Sequence, residues 1–129
     1  MTKAVKVKLF KDSITKYIDF FSLHEWEIYF EEDDEKGTIA STRWHEMNGA
    51  QNVIFSWGKD WIEDKTTTKE EIYKASFHEV LELLLAKLRD FSSNTTKKIS
   101  KREVDTEVHR VIRIMENKVF KLIKLKSNE

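Results

Sequence analysis

The sequence has no cysteine, no proline and only three glycines in 129 residues. Without cysteine the chain can form neither disulfides nor thiolate zinc sites, so any transition metal must be held by histidine and carboxylate groups. The lack of proline and the scarcity of glycine leave nothing that marks a linker between domains. We therefore predict a single domain over residues 1–129, a length that can enclose a substantial core.

The sequence also lacks an excess of charge and a long apolar run. Basic and acidic residues number 23 each, so net charge gives no reason to expect a nucleic-acid or membrane partner. No segment approaches the run of about 20 apolar residues that spans a bilayer. Residues 1–11 interleave lysine with valine and leucine and do not resemble a signal peptide, so we expect a cytoplasmic protein.

One region is locally basic, because lysines recur near the C-terminus at positions 118, 121, 124 and 126. We interpret them as the solvated face of a helix. An anionic partner is the alternative interpretation.

Hydrophobic periodicity predicts a helix, three strands and two further helices. Helical spacing of apolar residues predicts the first helix at residues 9–22. Alternating patterns predict strands at residues 26–31, 38–44 and 52–57, the first two paired as a hairpin. This order predicts an α+β fold in which helices cover one face of a three-stranded antiparallel sheet.

Two capping-box patterns predict where the later helices begin. Thr68-Lys69-Glu70-Glu71 has the Thr-x-x-Glu form and predicts a helix from residue 69 to about residue 89. Ser100-Lys101-Arg102-Glu103 predicts that the last helix begins near residue 101.

The helix predicted at residues 69–89 carries three polar residues, His78, Glu79 and Glu82, on a leucine-rich surface. Polar groups on such a surface are costly unless something satisfies them. His78 and Glu82 are four residues apart and therefore stack on one line at the margin of the apolar face. Ala75 and Ala86 flank this line and leave room beside it. Ligands at i and i+4 have the spacing with which a helix binds a metal ion.

The last helix carries a second line of polar residues. Asp105, His109 and Glu116 lie along the edge of its apolar stripe. If the two helices return alongside each other as an antiparallel pair, the two edges can meet at one rim.

His78-Glu79-x-x-Glu82 resembles the zincin signature His-Glu-x-x-His, with glutamate in place of the last histidine. The order of elements is similar to the minimal zincin core of SprT-like domains and of small metallopeptidase-like proteins encoded by phages. The segment from Glu107 to Asn117 is also similar to the final helix of those phage proteins. The resemblance implies a zinc ion held by His78, Glu82 and His109, with Glu79 as the general base. Asp105 and Glu116 remain alternatives to His109.

The resemblance implies a zinc-dependent hydrolase, most simply a peptidase, in the cytoplasm or in the host cytoplasm if a phage encodes it. Its substrate would be a protein or peptide that pairs with an edge strand, either the third strand or its hairpin partner.

Three alternatives stay open. The protein could be a catalytically weak or inactive zincin-derived protein that binds a partner protein. Two histidines and a carboxylate also match the facial triad of non-haem iron enzymes. His78 and Glu82 could instead be an ordinary hydrogen-bonded pair.

Overall fold

A computed structural model describes residues 1–47, 49–86, 89 and 100–127. Its elements, in chain order, are α1 (Lys3–Phe20), β1 (Glu27–Asp33), β2 (Ala40–Met47), β3 (Ala50–Gly58), α2 (Lys59–Glu63), α3 (Lys69–Leu84) and α4 (Lys101–Ser127). This order confirms the predicted α+β class and adds the short helix α2. Among the described residues no helix is long and apolar enough to cross a membrane.

The chain divides into two units, residues 1–83 and residues 84–129. The first contains α1, the sheet, α2 and nearly all of α3, and the second contains α4. The single domain over residues 1–129 stays a prediction.

Helix α1 begins well before the predicted residue 9. Thr2 is its N-cap, and the Thr2 side chain accepts a hydrogen bond from the Val5 backbone N–H at 3.2 Å. The lysine-rich first turns are therefore helical, although they lack a clear apolar stripe. Lys6 is buried, and its ammonium group donates a hydrogen bond to the Asp64 carbonyl at 2.6 Å.

The sheet is mixed, with strand order β1-β3-β2. β1 runs parallel to β3, and β2 runs antiparallel to β3. The predictions of an entirely antiparallel sheet and of a β1–β2 hairpin were therefore wrong. The hairpin joins β2 to β3, since Met47 pairs with Ala50 across the dipeptide Asn48-Gly49. Asn-Gly is a strong sequence signal for a two-residue hairpin turn, and Gly49 has the positive φ, +81°, that such a turn requires.

The central position of β3 follows from its composition. Val53, Phe55 and Trp57 are buried along one face of β3, whereas β1 carries four acidic residues, which suit a sheet edge. The chain between β1 and β2 must then pass the end of β3. It does so at Gly58, whose N–H donates a 2.7 Å hydrogen bond to the Ile39 carbonyl. A Cβ atom on Gly58 would lie 1.7 Å from the Thr38 carbonyl oxygen, so only glycine allows this approach.

The core of residues 1–83 lies between one face of the sheet and the helices α1 and α3. Phe10 on α1 packs edge-on against Trp57 at 6.0 Å between ring centroids, and Tyr17 packs against Phe77 at 5.2 Å. Burial, with a smaller contribution from Tyr73, raises the pKa of Tyr17 to about 12, so its phenol stays protonated. Helices cover this face of the sheet, as predicted.

Helix α4 begins at the predicted residue. Ser100 Oγ accepts a hydrogen bond from the Glu103 N–H at 3.1 Å. Val108 and Ile112 of its predicted apolar stripe are buried, and so are Phe120 and Ile123, which the prediction did not include. Lys118 and Lys121 are exposed, as expected for a solvated face. Helix α3 ends at Leu84, before the predicted residue 89. Leu88 and the predicted polar loop at residues 92–98 lie outside the described residues.

We predict that Gly58→Ala lowers the free energy of unfolding by about 1–3 kcal/mol, because the added methyl group would overlap backbone atoms of Thr38 and force the backbone to shift. Chemical denaturation measures the change. Gly37→Asn is the matched control: Gly37 has no atom within 4 Å of an added Cβ, and asparagine tolerates its φ of +83°. An unchanged denaturation midpoint in Gly58→Ala would show that the connection between β1 and β2 does not depend on the close approach of Thr38 to Gly58.

Candidate metal centre

The capping box predicted for α3 is present. The Thr68 N–H donates to Glu71 Oε2 at 2.8 Å, and the Glu71 N–H donates to Thr68 Oγ1 at 3.2 Å. These reciprocal bonds fix where the helix begins and therefore which residues face the core. Phe77, Val80 and Leu81 are fully buried on its core-facing side.

His78 and Glu82 lie on one line of α3, as predicted. His78 Nε2 is 3.4 Å from Glu82 Oε1, and their side chains are 33% and 11% exposed. A strong N–H···O hydrogen bond would be shorter, at about 2.7–3.2 Å. Two donors at about 2.0–2.1 Å from a tetrahedral zinc ion are about 3.3 Å apart. The spacing of this pair therefore suits two ligands of one ion.

Glu79 has a different environment, although it adjoins His78. It is 7% exposed and lies against β2, where the Thr42 hydroxyl is 2.8 Å from Glu79 Oε1 and 3.0 Å from the Glu79 carbonyl oxygen. Because both acceptors belong to one residue, Thr42 holds the carboxylate against the backbone of α3. The His78–Glu82 motif gave no indication that Thr42 contacts Glu79. The alternation of the predicted second strand could have placed it on the buried face, but nothing in the sequence pairs it with Glu79.

His109 is half-buried on α4, and its tautomer follows from its contacts. Nδ1 lies 2.8 Å from the Asp105 carbonyl oxygen and 3.4 Å from Arg89 Nη2. A carbonyl can only accept and a guanidinium can only donate, so the two contacts require opposite protonation of Nδ1. The contact with the Asp105 carbonyl is the shorter of the two, so we assign the proton to Nδ1. In that tautomer Nε2 carries the lone pair. Metal-binding histidines are commonly oriented by such a bond to a carbonyl.

One ligand atom from each of His78, Glu82 and His109 lies within 4.8 Å of the others, so this group could hold a metal ion. It is the one group of this kind in the described part of the chain. In a tetrahedral zinc site the ligand atoms would be closer to one another, at about 3.3 Å.

The alternative ligands Asp105 and Glu116 do not belong to this group. Asp105 Oδ1 lies 3.1 Å from Arg89 Nε, so its carboxylate forms an ion pair instead. Glu116 is half-buried on the same helix.

No protein-family model, curated protein or solved structure matches the chain. The zincin resemblance therefore rests on the motif and on the order of elements, and membership of that family stays a prediction.

We predict that the protein binds one zinc ion and that the ion stabilises the fold. Free zinc at 100 times its Kd adds about 2.7 kcal/mol to the free energy of unfolding. For a chain of this size that is a rise in Tm of about 10 °C. Calorimetric titration gives the stoichiometry, and thermal unfolding gives the shift.

His78→Ala, Glu82→Ala and His109→Ala should each remove most of this shift. His24→Ala and His45→Ala are matched controls, because both histidines are exposed and lie outside the group. A full shift in the His109 variant would assign the third ligand to another residue.

Proposed function

We propose that the protein is a zinc-dependent hydrolase in which His78, Glu82 and His109 hold the ion. The observation that carries this proposal is on α3: the His78–Glu82 pair has ligand spacing, and the buried carboxylate of Glu79 follows His78 directly. The set of two nitrogens and one carboxylate oxygen leaves a fourth tetrahedral position for water, as catalytic zinc sites do.

Charge supports the proposal. Glu79 and Glu82 are both more than nine-tenths buried, and burying two carboxylates three residues apart is costly without compensation. A divalent cation would favour the ionised form of both carboxylates, in addition to contacts such as the Thr42 hydrogen bond to Glu79.

Glu79 is assigned the role of general base. A zinc ion held by these residues would lower the pKa of a bound water and polarise the carbonyl of the substrate. The Glu79 carboxylate would accept the proton of the attacking water as the new C–O bond forms, and it would pass that proton to the nitrogen of the leaving amine as the C–N bond breaks.

The proposed substrate is an extended protein or peptide segment that pairs with β2. The sequence left the third strand and its hairpin partner as candidates for this pairing. Of these, β3 is central and β2 lies at an edge of the sheet as described. Thr42 on β2 contacts Glu79, so this strand passes beside the proposed base. An edge strand offers backbone groups to an extended chain, which gives affinity without sequence selectivity.

The glutamate at position 82, where the zincin signature has histidine, favours a second candidate function. A carboxylate is an accepted zinc ligand, but replacing the usual histidine changes the charge and Lewis acidity of the site. The second candidate is therefore a catalytically weak or inactive zincin-derived protein that binds a partner protein. The donor set would also suit iron(II), which metal analysis distinguishes from zinc. The cytoplasm stays the predicted compartment.

We predict that Glu79→Gln keeps the zinc ion and loses turnover by about 10²–10⁴-fold, since a carboxamide has nearly the same shape but cannot accept the proton. The measurement is hydrolysis of a fluorescence-quenched peptide library by zinc-loaded protein of verified metal content.

Glu25→Gln is the matched control, because Glu25 is exposed and lies outside the site. Equal turnover in the Glu79 variant and the wild type would remove Glu79 from the role of base. Zinc binding without any turnover in the wild type would favour the second candidate.

A further inference from the structure

The Thr42 hydroxyl donates a hydrogen bond to the Glu79 carboxylate from outside the His78–Glu82 motif. It lies on β2 and pairs with Phe55 on β3, whose side chain is fully buried, so Thr42 lies on the face of the sheet that α3 covers. Its Oγ1 is 2.8 Å from Glu79 Oε1, a good distance for a hydroxyl donor and a carboxylate acceptor.

The position of this hydroxyl is set by the sheet and not by α3. Threonine is branched at Cβ, so few χ1 rotamers are open to it on a strand. The register of β2 against β3 is fixed over eight residue pairs, from Ala40↔Trp57 to Met47↔Ala50. The sheet therefore fixes the position of the Thr42 hydroxyl, although Thr42 is 37 residues away in the chain from the glutamate that it contacts.

A glutamate side chain has three rotatable bonds, and a general base must lie within hydrogen-bond reach of the proton that it accepts. The backbone of α3 alone does not fix the place of the Glu79 carboxylate. The bond from Thr42 to Oε1, together with the 3.0 Å approach of the same hydroxyl to the Glu79 carbonyl oxygen, limits where the carboxylate can lie.

We propose that Thr42 is a positioning residue, which holds the Glu79 carboxylate in the place where it can accept a proton from the attacking water. The proposal rests on the proposed function and extends it to a residue on β2. It differs from a purely structural role, in which the hydroxyl would only satisfy a buried carboxylate and join β2 to α3.

Two substitutions separate these roles. Thr42→Val keeps the branched shape and removes the hydroxyl, whereas Thr42→Ser keeps the hydroxyl and removes the methyl group. Ser41→Ala is the matched control, because it removes a hydroxyl from the neighbouring residue on the opposite face of β2.

The experiment measures zinc content, Tm, kcat and KM for the zinc-loaded wild type and these three variants, with Glu79→Gln as the reference for loss of the base. Thr42→Val is expected to bind one zinc ion, to keep KM within about twofold, and to lose about 100-fold in kcat, the scale of a misplaced catalytic group. Thr42→Ser should recover most of kcat, and Ser41→Ala should match the wild type.

Three results would overturn the positioning role while leaving the proposed function in place. The first is that Thr42→Val keeps the wild-type kcat while Glu79→Gln is inactive. The second is that kcat of Thr42→Val falls only in proportion to its loss of zinc. The third is that Thr42→Ser has a kcat as low as that of Thr42→Val.

If the wild type turns over no faster than Glu79→Gln, Glu79 is not the base, and crystal structures of the wild type and Thr42→Val then decide only the claim that Thr42 fixes the place of the Glu79 carboxylate. A carboxylate displaced by about 1 Å or more in Thr42→Val and returned in Thr42→Ser upholds it. An undisplaced carboxylate overturns it.

Discussion

The cost of burying the carboxylates of Glu79 and Glu82 on one turn of α3 is the constraint on which the proposed site depends. As whole residues, Glu79 and Glu82 are 7% and 8% exposed, and an ionised group in such a place needs a donor or a cation. The two carboxylates meet different surroundings. Glu79 accepts a hydrogen bond from Thr42, and Glu82 faces His78 at 3.4 Å. This difference is the physical basis for giving one the role of base and the other the role of ligand.

The sheet topology matters because it decides which strand lies beside Glu79. With β3 in the centre, β2 becomes an edge strand that contacts α3 through Thr42. The arrangement depends on the crossover between β1 and β2, which passes so close to Gly58 that no side chain fits there. The close approach at Gly58 is thus part of the arrangement that leaves β2 at an edge of the sheet.

Local signals predicted where α3 and α4 begin: both bonds of the capping box are present at Thr68, and Ser100 accepts the N-cap hydrogen bond from Glu103. The start of α1 was missed because Thr2 caps a lysine-rich turn with no apolar stripe. Strand order could not be predicted from periodicity, which carries no information about neighbours. Asn48-Gly49 was the one local signal for the true hairpin.

The candidate ligands on α3 were predictable because they share one helix, where spacing determines geometry. The Thr42–Glu79 contact was not, since it joins residues 37 apart through the register of β2 against β3. The sequence likewise could not predict the tautomer of His109, because it depends on a contact with the carbonyl of Asp105.

The central claim is that His78, Glu82 and His109 bind one zinc ion. The most direct measurement is anomalous diffraction at the zinc edge from crystals of the zinc-loaded protein. The account predicts a single strong peak at about 2.0–2.2 Å from one nitrogen of each histidine and one oxygen of Glu82, with a solvent oxygen in the fourth position. A peak ligated by Asp105 or Glu116 instead of His109, a peak remote from α3, or no peak with zinc in excess would contradict it.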